Sequence, residues 1–190
     1  MKKLIILFCF FITSSFSFSA IQEAYLAGGC FWCVESDLEK VEGVKEVTSG
    51  FSGGNIANPR YEDVSRGGTG HRESVFVKYD DNEINYSSLL YYFLKKIDPT
   101  DKKGQFVDRG YQYSPAIFYR TERERQLALV VLEKVKKEGN FKEIGVELIK
   151  FKNFYPAEEY HQDYYKKNPL RYKFYRYRSG RDQFLEDTWK

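Results

Sequence analysis

Cys30 and Cys33 stand in the run Gly28-Gly29-Cys30-Phe31-Trp32-Cys33-Val34-Glu35. Two glycines between a strand pattern and a helical pattern allow a tight turn. The turn sets Cys30 at a helix N-terminus, where unpaired backbone N–H groups and the positive end of the dipole favour a thiolate. Cys33 follows three residues later on the same helical face, at a separation that an i, i+3 pair can bridge with little rearrangement. Redox chemistry is the reading this context supports. Zinc would need further soft ligands, and His71 and His161 lie far apart without metal-ligand spacing, so no metal is expected. Phe31 and Trp32, between the two sulfurs, can wall a pocket for a small apolar group or anchor the helix in the core.

The elements around these residues follow from periodicity. Glu23 to Ala27 reads as a strand, Cys30 to Val41 as a helix, Val44 to Phe51 as a strand, Tyr61 to Arg66 as one helical turn, and Glu73 to Tyr79 as an alternating strand. Tyr86 to Ile97 reads as a helix, Asp98 to Gln112 as a long polar loop and Pro115 to Tyr119 as a strand. Thr121 caps an amphipathic helix to Glu138, and Val146 to Phe151 is a last strand. The order βαββαβαβ implies a two-layer α+β sandwich, with helices on one mixed sheet and the glycine-containing loops lining a site. The Tyr- and Arg-rich stretch from Phe154 to Tyr177 reads as a surface-wrapping coil whose aromatics pack on the domain.

Composition narrows the function classes. Sixteen Phe, sixteen Tyr and two Trp in 190 residues call for a large aromatic core or binding groove. Met1 to Ala20 has the three-part pattern of a signal peptide: a positive start, a short apolar stretch and a small-residue end. Cleavage is expected after Ser19, giving residues 1–19 as leader and 20–190 as a single domain. Cys9 leaves with the leader, and Cys30 and Cys33 remain as a chemical pair rather than a disulfide framework. With Lys2 and Lys3 removed, the 30 basic and 27 acidic residues come close to balance, so no electrostatic capture of nucleic acid is implied. No phosphate-loop motif is present, and neither a nucleotide nor a flavin is expected.

Further motifs carry a resemblance. Gly29-Cys30-Phe31-Trp32, Gly50-Phe51-Ser52-Gly53-Gly54 with the segment Asn58 to Val64, Gly70-His71-Arg72-Glu73-Ser74-Val75, Asp108-Arg109-Gly110-Tyr111-Gln112-Tyr113, and Phe154 to Gln162 occur in order. Together they resemble the A-type peptide methionine sulfoxide reductases. The resemblance implies a ferredoxin-like core within the α+β sandwich and reduction of methionine S-sulfoxide, free or in polypeptides. It makes Cys30 the nucleophile, Glu73 the acid, Tyr61, Tyr113 and Asp108 polar members of the substrate pocket, and Phe31 and Trp32 the surround of the substrate methyl. No cofactor is implied beyond an external thiol reductant, thioredoxin or a thioredoxin-like protein, and a monomer is expected. Relatives often carry resolving cysteines near the C-terminus. Here no cysteine follows Cys33, so either Cys33 resolves the Cys30 sulfenic acid or an external thiol reduces it directly.

Two other readings remain at this stage. C-x-x-C at a helix start and Ser114-Pro115 before a strand suggest a thioredoxin-like disulfide oxidoreductase, and the aromatic content alone would suit a non-enzymatic binding module. His71 and His161 are read as loop supports rather than general bases. The leader pattern implies an extracytoplasmic protein, periplasmic where the cell has two membranes. Mass spectrometry of the mature protein is expected to find a new N-terminus near Ala20, and a product retaining Met1 overturns that expectation.

Overall fold

The computed structural model describes residues 21–189, so the expected leader with Cys9 lies outside the described residues. Strand β1 (Ile21–Ala27) leads through the Gly28-Gly29 turn into helix α1 (Phe31–Leu38). Strand β2 (Val44–Ser52), the single turn α2 (Tyr61–Ser65), strand β3 (Arg72–Asp80) and helix α3 (Tyr86–Leu94) follow. The stretch expected as a polar loop contains a small hairpin, β4 (Gly104–Gln105) and β5 (Asp108–Arg109), and a 3-10 turn at Tyr111–Tyr113. Strand β6 (Ala116–Tyr119), helix α4 (Glu122–Glu138) and strand β7 (Glu147–Lys150) complete the expected alternation. Thr121 caps α4 as its sequence suggests, accepting a hydrogen bond from Glu124 N at 3.1 Å.

The main sheet has the order β7-β6-β1-β3-β2-β8, where β8 is Phe154–Pro156. Its inner four strands, β6-β1-β3-β2, pair antiparallel throughout, as in a ferredoxin-like core. Only β7 joins in parallel, beside β6 across the α4 crossover. Helices α1, α3 and α4 cover one face with a core that includes Leu26, Phe31, Val34, Val77, Phe93 and Val135. The other face is covered by rings. Tyr25 stacks on Phe151 at 4.0 Å and on Phe76 at 5.1 Å, and Phe154 closes the group. Aromatic side chains thus do there what a second helical layer would do.

The C-terminal segment corrects the expectation of a coil. It folds into α5 (Tyr164–Lys167), α6 (Pro169–Ser179) and α7 (Arg181–Thr188). Pro169 starts α6 where a missing N–H costs nothing, and Gly180 ends it at φ 77°. The helix buries Tyr172 and leaves Leu170 and Tyr177 exposed, so only one side of its aromatic run meets the domain.

The register of the sheet sets the site. Leu26 of β1 faces Val75 of β3, and continuing that antiparallel pairing brings Glu73 level with the Gly28-Gly29 turn. Gly29 holds φ 82°, and a Cβ built on it would lie 2.5 Å from Gln105 Cβ. Both the left-handed conformation and the close approach require glycine. Gly29→Ala is therefore expected to cost roughly 1–3 kcal/mol in urea unfolding. A change below about 0.3 kcal/mol, within the usual effect of a neutral surface substitution, would show that the turn relaxes freely.

Candidate active site

Cys30 is the N-cap of α1, and its carbonyl accepts the amides of Cys33 at 3.1 Å and Val34 at 3.3 Å. Its thiol does not cap the helix, which leaves the sulfur turned toward a cavity of about 90 Å³. Cys30, Phe31, Trp32, Tyr61, Glu73, Asp108, Tyr113 and Tyr175 line it. All the residues expected to be catalytic or to hold the substrate, except Cys33, therefore meet in one place. Cys33 lies behind them, fully buried, and both thiols are free.

Glu73 is only 3% exposed, and its Oε2 accepts the Phe31 amide, the first of α1, at 3.0 Å. Burial pushes its pKa up to about 8. The bond from the amide opposes that shift, and the nearby Asp108 charge adds to it. At neutral pH the carboxyl keeps its proton. The Tyr61 phenol is pushed up to about 12, by burial first and then by Glu73, and it pairs with the Tyr113 hydroxyl, itself raised by burial. Both phenols are therefore hydrogen-bond donors at working pH.

The two sulfurs divide their charge in the opposite sense to the sequence expectation. Burial raises the Cys30 thiol well above the usual range, and its bond to Cys33 and the charges of Cys33, Glu73 and Asp108 reinforce that shift. Cys33 falls to about 7, chiefly because its sulfur accepts the bond from Cys30, with Arg181 and Arg176 adding to the effect against burial. The helix N-terminus alone does not make Cys30 a resting thiolate. Desolvation outweighs the dipole at Cys30, and of the two sulfurs Cys33 is the one whose thiolate is favoured.

The supports come from distant segments. Trp32 Nε1 donates to His161 Nδ1 at 3.1 Å, and the indole stacks flat on Tyr164 at 3.7 Å. His161 is buried, and burial lowers its pKa, which keeps it neutral and able to accept. His71 accepts the Gly54 amide at 3.2 Å on one ring nitrogen and bonds the Ile56 carbonyl oxygen at 2.8 Å through the other. Both histidines act as supports, as their settings suggest. Phe31 is buried against Phe51 and Tyr61 while it lines the cavity, so its core and pocket roles coincide.

Tyr175 was not singled out in the sequence. It reaches in from α6, and its hydroxyl donates to Asp108 Oδ2. Arg181 was missed as well; its Nη2 donates to the Gly28 carbonyl at 3.1 Å, directly under the turn that carries Cys30. The signal for Tyr175 was the Pro169 and Gly180 bracket, which marks a helix around it; Arg181, the first residue beyond that bracket, had no such signal. The Ser114-Pro115 bond is trans, so the cis-proline loop required by a thioredoxin-like reading is not there. Among the described residues, no group of three or more His, Cys, Asp or Glu side chains is placed to hold a metal ion.

Comparison with known proteins agrees with this geometry. Residues 22–190 match the family model described as peptide methionine sulfoxide reductase. A Vibrio cholerae protein named peptide methionine sulfoxide reductase MsrA/MsrB is 53% identical over 169 residues, 88% of this chain. The match covers 45% of that protein, so the chain spans about half of its length. Peptide methionine sulfoxide reductase MsrA 2 of Staphylococcus aureus (strain MW2) is 46% identical over 169 residues, covering 88% of this chain and 96% of that one. The solved structure of methionine sulfoxide reductase A from Corynebacterium diphtheriae aligns with a TM-score of 0.71 at 30% identity, over 79% of this chain and 76% of that one. Reduced Mxr1 of Saccharomyces cerevisiae aligns with a TM-score of 0.74 at 29% identity, over 78% and 86% of the two chains. Motifs, sheet order and relatives converge, and the chain belongs to the peptide methionine sulfoxide reductase family, on its MsrA side.

Proposed function

We propose that this chain reduces the S epimer of methionine sulfoxide, in polypeptides and as the free amino acid, with Cys30 as nucleophile and Glu73 as acid. The observation that carries this reading is one small cavity in which a buried, protonated carboxyl and a cysteine sulfur face each other beneath Phe31 and Trp32. A sulfoxide oxygen leaves sulfur only when it is protonated, and a carboxyl with a pKa near 8 can supply that proton at neutral pH. The substrate methyl rests on Phe31 and Trp32. Its oxygen accepts from Glu73, Tyr61 and Tyr113, and Asp108 holds the polar end of the pocket.

The charge division between the sulfurs gives the proton path. As Cys30 attacks the sulfoxide sulfur, its thiol proton passes to Cys33 and the substrate oxygen takes the proton of Glu73. Oxygen transfers to the Cys30 sulfur, the old sulfur–oxygen bond breaks, and methionine leaves. Cys30 is then a sulfenic acid and Glu73 a carboxylate. Cys33 gives its proton to solvent and attacks the sulfenic sulfur; the oxygen takes one proton and departs as water, leaving a Cys30–Cys33 disulfide. An external thioredoxin-like dithiol recycles it. Support for such a donor comes from Mxr1, whose complex with Trx2 has been solved and shares the fold at a TM-score of 0.54 and 22% identity. The leader pattern at Met1 to Ala20 favours a donor outside the cytoplasm.

Incubation with mixed sulfoxides followed by chiral chromatography is expected to show the S epimer consumed and the R epimer untouched. Equal loss of both overturns the assignment. Glu73→Gln is expected to slow single-turnover methionine release by roughly 10²- to 10⁴-fold. Because the protonated form is the active one, wild-type release declines as pH rises through about 8, and the variant loses that limb. A near-normal rate in the variant would assign the acid elsewhere.

A further inference from the structure

Of the residues that line the cavity, Tyr175 alone comes from the C-terminal helices. Cys30, Phe31 and Trp32 stand at the start of α1, and Tyr61, Glu73, Asp108 and Tyr113 lie on elements from α2 to the 3-10 turn. Tyr175 is half-buried and held at two points. Its hydroxyl donates to Asp108 Oδ2, and its ring meets the Trp32 indole edge to face, with centroids 6.0 Å apart and planes at 85°. A phenol has one proton to donate, and this one goes to Asp108 rather than into the cavity. What Tyr175 offers a ligand is its ring.

The backbone behind that ring is fixed as well. Tyr172, one turn earlier in α6, is buried, and the next residue, Arg176, pairs with Asp37 of α1 at 2.8 Å. Trp32, the ring that Tyr175 meets, is itself pinned by the stack on Tyr164 and the bond to His161. Walls held in this way do not make room for a larger group without strain. The cavity measures only about 90 Å³, and in an apolar pocket a single added methylene changes selectivity by roughly 10- to 200-fold.

We propose that Tyr175, delivered by the C-terminal helix α6, is a specificity-determining wall of the site, whose ring limits the small group on the sulfoxide sulfur to a methyl. The proposal rests on the proposed function, in which that methyl lies on Phe31 and Trp32. Phe31 and Trp32 form the floor from α1, and Tyr175 closes the space beside them. The substrate pocket is then incomplete without the C-terminal segment, and substrate size is read by a residue more than 140 positions away from the nucleophile in sequence.

The test compares kcat/KM for the S-sulfoxides of N-acetylmethionine and N-acetylethionine, which differ by one methylene on sulfur, with dithiothreitol as reductant. Wild type is expected to favour the methyl substrate by roughly 10- to 200-fold. Tyr175→Phe keeps the ring and is expected to hold that ratio within about threefold, whereas Tyr175→Ala is expected to reduce it at least about tenfold. A residue that merely braced α6 would slow both substrates by the same factor and leave the ratio in place, and that result overturns the proposal. So does a ratio that collapses in Tyr175→Phe, which would assign selectivity to the hydroxyl, or a wild type that takes both substrates equally; the wild-type ratio is measured whether or not Tyr175→Ala folds. Binding is read separately from Trp32 emission in a Cys30→Ser, Trp189→Phe background, where Trp32 is the sole tryptophan and no turnover occurs. The same preference is expected in Kd, again lost in Tyr175→Ala. If wild type reduces neither sulfoxide but the binding preference depends on Tyr175 as expected, the proposed function fails and the wall stands; binding without preference overturns the wall.

Discussion

The bond from the Phe31 amide to Glu73 is the joint on which the rest of the site depends. It ties the first turn of α1 to the beginning of β3, and therefore fixes where Cys30 stands relative to the buried carboxyl of Glu73. Two opposed demands meet in it. A carboxyl held against a helix N-terminus is drawn toward ionisation, whereas a carboxyl that must act as an acid at neutral pH has to resist ionisation. Burial settles the contest, because removing water from Glu73 penalises the charged form by more than one amide bond stabilises it. The central position of β3, flanked by β1 and β2, supplies that burial.

The same requirement explains the aromatic content. A dry carboxyl needs neighbours that exclude water without adding charge, and tyrosines do this while still offering a hydroxyl at the right place. Tyr61, Tyr113 and Tyr175 each present a ring to the cavity and an oxygen to a polar partner. Trp32, set on the first turn of α1, is held further out by the bond to His161 and the stack on Tyr164, so the wall keeps its shape. Much of the remaining excess lies on the far side of the sheet, where Tyr25, Phe76, Phe151 and Phe154 stand in for a missing layer.

Legibility in the sequence tracked how local the determining physics was. Strands β1, β2 and β3 were visible because alternation is a nearest-neighbour pattern, and α4 was visible through Thr121 and its apolar stripe. The cavity residues came from motifs and not from periodicity, and they converge because the β1–β3 register places Glu73 beside the Gly28-Gly29 turn, a long-range fact that spacing alone does not encode. The hairpin β4–β5 and the edge strand β8 are two or three residues long, too short for any period to show. The C-terminal helices were readable in principle from Pro169 and Gly180, but the dense mixture of tyrosine and arginine hides the inward positions, since both types also decorate surfaces.

The charge on the cysteine pair was not legible at all. A helix N-terminus argues for a thiolate at Cys30, and in an exposed site that argument would hold. Here burial holds up the thiol of the sulfur that faces the cavity, with Asp108 adding to the effect, whereas the sulfur behind it accepts the bond from Cys30 and is favoured as a thiolate by Arg181 and Arg176. Those two arginines come from α6 and α7, some 140 residues further along the chain. The last elements of the fold thus add to a preference that burial of Cys30 and the Cys30–Cys33 bond establish first. In the proposed reaction this gives chemical economy: a neutral Cys30 admits a neutral, polar sulfoxide without first displacing a solvated anion, and the proton it loses has an acceptor one hydrogen bond away in Cys33. In the proposed reaction, activation moves one proton from Cys30 to Cys33, and resolution begins when Cys33 gives that proton up.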